Sequence, residues 1–175
     1  MKVGCYPGSF DPPTVAHLAI ADAARRRHDL DRIDLVISRI AIGKERSARS
    51  DVAERHAVLE AVAANLGWLG VVVSEFQLVT ELAQGYDVVI MGADKWHQVN
   101  DPQYYGASTD ARDAAVARLP MLAIAPRSPY PVPEQFLLDL AEDLHDVSST
   151  AARAGRTELM LPEALERRRS HGTWG

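Results

Sequence analysis

Short, uniformly apolar runs alternate along the chain with stretches whose apolar positions recur every three or four residues. Runs of the first kind fall at Lys2–Tyr6, Asp34–Ile40, Val71–Ser74, Asp87–Ala93 and Leu119–Ala125, with a shorter one at Leu144–Val147. Bounded by Gly, Pro and Asp, they read as buried strands. From Val15 to about His28, Val15, Leu18, Ala19 and Ala23 recur at helical spacing, while Asp22, Arg25 and Arg26 make the polar face. Ser50 or Asp51 caps a second helix with the stripe Val52, Val58, Leu59, Val62 and Leu66. Phe76–Ala83, Asp110–Arg118, Glu134–Glu142, a segment from near Ser148 and the charged Pro162–Arg169 complete the helices, and the last precedes a frayed tail. Ile42–Ser50 is a loop, and Trp96–Thr109 a long polar one. Strands without a polar face need cover on both sides. The pattern therefore predicts an α/β fold: a doubly wound parallel sheet of about five or six strands with helices on both faces. Ligands in such sheets sit beyond the carboxyl ends of the strands, where the strand order reverses.

Composition narrows this picture. At 175 residues, 47% of them apolar, the chain fits a single domain spanning 1–175 with a short C-terminal helical appendage at about 160–175. A single cysteine excludes a disulfide framework and a Cys-rich zinc module, and Cys5 reads as strand packing. No apolar run approaches the roughly 18 residues a membrane span needs. Pro7 and Asp11 break the N-terminal apolar stretch that a secretory signal requires. A net charge of −5 without a basic arm argues against nucleic-acid partners, and the expected location is the cytoplasm. Arg25–Arg27 and Arg167–Arg169 read as solvated faces, and His28, His56, His97, His145 and His171 lack metal-ligand spacing.

Two strand exits carry candidate chemistry. In Tyr6–His17, Gly8 permits close backbone approach, Asp11 offers a cap, and Pro12 or Pro13 suits a first helical turn. Free N–H groups at such a helix start favour an anion. Thr14 and His17, three apart, share a face of that turn. In Val147–Arg153, hydroxyls open a helix on which Ser149 and Arg153 share a face, a cradle suited to a polyphosphate. Taken alone, each stretch is equally an ordinary capped helix with a surface His or Arg.

Gly8-Ser-Phe-Asp-Pro-Pro-Thr-Val-Ala-His17 resembles the Gly-x-Phe-Asp-Pro-x-(His/Thr)-x-Gly-His signature of the nucleotidylyltransferase superfamily, with Ala16 where the family usually has Gly. Val147-Ser-Ser-Thr-Ala-Ala-Arg153 is similar to that family's Ile-Ser-Ser-Thr-x-x-Arg, and Met91-Gly-Ala-Asp94 to the Gly-Ala-Asp of its pyridine-nucleotide branch. The resemblance implies a Rossmann-like sheet and an adenylyltransferase that moves AMP from ATP, with Mg²⁺, to a small phosphate-bearing acceptor, releasing pyrophosphate. It places His17 on ATP phosphates and Thr14 near the attacking phosphate. Lys44 and Arg153 add charge at the reaction centre. Gly8, Ser9, Phe10, Ser148, Ser149, Thr150 and Arg153 are implied around the polyphosphate, and Gly92, Asp94 and Arg127 around the nucleoside. No protein metal ligands are implied. Relatives form oligomers, so a homo-oligomer is compatible. Arg55 matches a helix Arg of the family but equally suits a solvated helix surface.

The branches differ in acceptor. Tyr6–Pro12 and Thr14 are closer to phosphopantetheine adenylyltransferase, whereas Met91–Asp94, Pro126-Arg127 and the Ser-Ser-Thr-x-x-Arg spacing are closer to the pyridine-nucleotide enzymes. The expected acceptor is nicotinate or nicotinamide mononucleotide, with phosphopantetheine as the alternative. A nucleotide binder without catalysis is the competing class, suggested by Ala16 and by a base-pocket segment missing between Val71 and Asp87. Trp96 offers a flat face for a pyridine ring, but it stands closer to Asp94 than the corresponding Trp of the pyridine enzymes and equally suits packing within its loop.

Overall fold

The computed structural model describes residues 1–39 and 50–174. Its sheet is parallel, in the order β3-β2-β1-β4-β5, with β1 Val3–Pro7, β2 Arg32–Ser38, β3 Leu69–Ser74, β4 Val88–Gly92 and β5 Met121–Ala125. The order reverses between β1 and β4, which makes the crevice above their carboxyl ends the switch point of the fold. Seven α-helices are described: α1 Val15–His28, α2 Val52–Ala64, α3 Val79–Leu82, α4 Ala93–Val99, α5 Thr109–Val116, α6 Ser149–Arg153 and α7 Pro162–His171.

Side-chain alternation explains why the strands lack a polar face. Ile33, Leu35 and Ile37 of β2, with Val88 and Ile90 of β4, pack in one core with residues of α1 and α2. The residues between them turn the other way: Cys5 and Val36 meet Leu82 of α3, and Val89 and Met91 meet α3 and α4. Helix α1 approaches closely because the positions it buries are all alanines, Ala16, Ala21, Ala23 and Ala24. Cys5 is fully buried, and desolvation, helped by the Asp34 carboxylate, pushes its thiol up to about 12, so it acts as packing. Among the described residues no helix is long and apolar enough to cross a membrane.

Four segments differ from the sequence expectation. Glu134–Glu142 is not a helix; short 3-10 turns at Glu134–Phe136 and Glu142–Leu144 flank an extended stretch. There Leu138 N–H donates to the Ile124 carbonyl at 2.8 Å, covering the open edge of β5, and the Arg27 guanidinium satisfies the carbonyls of Gln135 and Leu137. Arg27 makes these bonds from an exposed position, whereas Arg25 is half-buried, its guanidinium 5.0 Å from the Trp68 ring. Leu144–Val147 is a turn rather than a sixth strand. The stretch 96–109 is not an open loop: it folds into α4 and a 3-10 turn at Pro102–Tyr105 capped by Asp101. The tail beyond α7 is held rather than frayed. Thr173 is buried with its hydroxyl on the Glu54 carboxylate of α2, and the Trp174 indole donates to Asp11 at 2.5 Å.

Candidate active site

The crevice at the switch point holds a cavity of about 280 Å³, and both motif turns open onto it. The first turn leaves β1 through Gly8, whose N–H donates to the Val36 carbonyl at 3.0 Å. A Cβ at Gly8 would stand 2.8 Å from the Phe10 ring, so only glycine fits. Phe10 takes φ +46°, a left-handed conformation costly for a bulky residue. Full burial of its ring, edge-on to Tyr6 with centroids 5.4 Å apart, holds it there. Phe10 thus anchors the turn from behind, and its side chain does not line the cavity, contrary to the nucleotide contact the motif suggested.

Thr14, rather than Asp11, is the N-cap of α1, so Pro12 and Pro13 precede the first helical turn instead of opening it. The His17 ring turns back over the cap: Nδ1 accepts the Thr14 backbone N–H at 2.9 Å and lies 2.8 Å from the Thr14 hydroxyl. A nitrogen accepting an N–H carries the lone pair, so the ring proton resides on Nε2. Burial, aided by the Arg127 charge, pulls the imidazole down to about 4. His17 is therefore a neutral donor at pH 7.

The second turn docks on the first. Ser148 caps α6 by accepting the Ala151 N–H at 3.1 Å, the Ser149 hydroxyl donates to the Pro12 carbonyl at 2.7 Å, and Arg153 donates to the Asp11 carbonyl. On the other flank, Gly92 ends β4 and Asp94 stands 3.7 Å from Arg127 beyond β5. Arg127 also donates to the Val147 carbonyl at 2.9 Å, tying the β5 exit to the start of the second motif.

Gly8, Ser9, Thr14, His17, Gly92, Asp94, Arg127, Ser148, Ser149, Thr150 and Arg153 all line this one cavity, as does Ala16, whose methyl also packs with Val147 and Ala152. Lys44 lies outside the described residues. Arg55 is not a solvated helix residue: it is buried and donates to the Ser9 carbonyl at 2.8 Å. Trp96 does not line the cavity; it packs against Phe136 at 6.3 Å between centroids. Sequence reasoning missed Tyr6, buried at the cavity floor, where desolvation raises its phenol further above its ordinary range. It also missed Gln77, Leu78, Val79, Lys95, Gln98 and Tyr104, which form the end of the cavity near β2 and α3. For Lys95 and Gln98 the available signal was their spacing of three on one helix, α4.

A parallel sheet whose switch point carries hydroxyls, guanidinium groups and an imidazole donor offers a set of hydrogen-bond donors suited to an anion. The Cytidylyltransferase-like family model matches residues 5–155, and the chain belongs to that family. Over 66 residues it is 38% identical to a phosphopantetheine adenylyltransferase of Ruegeria sp., a match covering 38% of this chain and 37% of that protein. Over 59 residues it is 36% identical to a probable nicotinate-nucleotide adenylyltransferase of Listeria monocytogenes, covering 34% and 31%. These matches span about a third of the relatives' length. The fold is similar to that of Plasmodium falciparum nicotinic acid mononucleotide adenylyltransferase complexed with NaAD, at a TM-score of 0.69 and 17% identity, over 99% of this chain and 98% of the other.

Proposed function

We propose that the protein is an adenylyltransferase that transfers AMP from ATP to a small phosphate-bearing acceptor, nicotinate or nicotinamide mononucleotide, and releases pyrophosphate. The observation that carries this reading is the docking of α6 on the 9–14 turn through Ser149 and Arg153, with His17 and Arg127 on the same cavity. An oxygen of the acceptor phosphate attacks the α-phosphorus of ATP, and the bond from that phosphorus to the bridging oxygen of the β-phosphate breaks. The acceptor phosphate is already anionic, so the reaction needs neither a general base nor a covalent intermediate. It needs two mutually repelling anions held in line and the leaving pyrophosphate stabilised. His17 serves as a neutral Nε2–H donor to a phosphate oxygen, and Arg153 with the Ser149 and Thr150 hydroxyls holds the polyphosphate. Asp94 and Arg127 face the nucleoside. ATP enters as its Mg²⁺ complex, and Lys44 takes the charge-neutralising role that the family resemblance implies. Both substrates are metabolites of the cytoplasm, which is the location this reading implies.

A specific observation favours phosphopantetheine as the second reading. The end of the cavity near β2 offers Leu78, Val79 and Leu82 rather than the Trp96 face, which suits a flexible arm as well as a flat ring. Pyrophosphate release from ATP, measured with each acceptor in turn, separates the readings. Turnover with a pyridine mononucleotide supports the first and turnover with phosphopantetheine the second. ATP binding with silence toward every acceptor would leave a binder and overturn both.

A further inference from the structure

Asp11 is 1% exposed and gathers contacts from three distant parts of the chain, at Ser50, Arg153 and Trp174. Its Oδ1 accepts from the Ser50 hydroxyl and from the Trp174 indole, each at 2.5 Å, whereas its Oδ2 has no hydrogen-bond donor among the described residues. That bare oxygen lies 3.9 Å from Nη1 of Arg153, the nitrogen that also donates to the Asp11 carbonyl. Two donors on one carboxylate oxygen fix the rotation of the group and so present the other oxygen to the guanidinium. Trp174 is itself firmly placed. Its backbone takes φ +62°, a strained choice for a bulky residue, and its neighbour Thr173 is bonded to Glu54.

We propose that Trp174 is a positioning residue for nucleotide binding: through Asp11 it orients Arg153 at the cavity wall. The inference rests on the adenylyltransferase reading for the role of Arg153. Losing the indole N–H frees the buried carboxylate to rotate, and Arg153 then spends part of its time off the phosphates. The effect is read as a loss of affinity for ATP.

A double-mutant cycle tests this, with ATP affinity read by calorimetric titration of a non-hydrolysable ATP analogue. Trp174→Phe keeps the ring volume and removes the donor. It should weaken binding about tenfold, the scale of one hydrogen bond to a charged group, with melting temperature held within a few degrees. On an Arg153→Ala background the same substitution should change affinity less than about twofold, because the residue it acts through is gone. Unchanged affinity in the single variant, or an equal loss on both backgrounds, overturns the proposal. Should Trp174→Phe fail to fold, Asp11→Asn decides: it should show the same loss and the same silence beside Arg153→Ala, and normal affinity overturns the proposal. A wild-type protein that binds the analogue yet transfers AMP to no acceptor defeats the catalytic reading while the cycle still decides the role of Trp174. A wild-type protein that binds no nucleotide ends both.

Discussion

Acid is the most direct probe of the site, because His17 is neutral and its Nδ1 faces a backbone N–H. In the folded protein the imidazole titrates at about 4, against 6.5 for an unperturbed ring. Above pH 6.5 both the folded and unfolded chains carry a neutral ring, and the stabilisation is fully present. Between pH 6.5 and 4 the unfolded chain binds the proton and the folded one resists it, so stability falls as the pH drops. A gap of about 2.5 units at 1.36 kcal/mol each gives a loss of about 3 kcal/mol by pH 4, a large share of a typical domain's stability. Urea unfolding at pH 7, 6, 5 and 4 reads it, compared with His17→Gln, in which the carboxylates and other histidines still titrate and residue 17 does not. The wild type should lose about 3 kcal/mol more than the variant over that range, and the ring proton resonances of His17 should shift with a midpoint near 4. Parallel stability curves, or a midpoint near 6.5, would refute the assignment of a buried neutral donor.

Three further outcomes follow from the same geometry. His17→Ala should lower adenylyl transfer about 10²- to 10³-fold, as for loss of one preorganised donor, while far-UV circular dichroism stays native. Gly8→Ala should destabilise the fold by about 1–3 kcal/mol in denaturant unfolding, because the new methyl meets the immobile Phe10 ring at 2.8 Å. Trp96→Phe should leave the acceptor KM within about twofold, because that ring packs on Phe136 outside the cavity. A KM rise of tenfold or more would return Trp96 to the binding site.

The strands were legible because burial on both faces leaves uninterrupted apolar runs: Val88 and Ile90 meet one helical layer, Val89 and Met91 the other. The motif turns were legible because Gly8 and the Ser148–Thr150 hydroxyls do local work at chain positions that punctuate the pattern. The region 134–147 was not legible, because bonds to distant groups, Ile124 and Arg27, define its course and no internal period does. The same reason hid Arg55, which looks solvated on its own helix until its guanidinium reaches back 46 residues to Ser9. His17 was found by its spacing, yet its neutrality was not legible there. Protonation depends on burial and on Arg127, neither of which appears in a ten-residue motif.

The strand order has a bearing on synthesis. The first strand made, β1, occupies the centre of the sheet, and its neighbour on one side, β4, begins at Val88. While the ribosome makes the intervening half of the domain, one edge of that apolar strand stays bare, an invitation to mispairing with other nascent chains. The segment whose backbone is most vulnerable during translation is the one that afterwards carries the floor of the cavity.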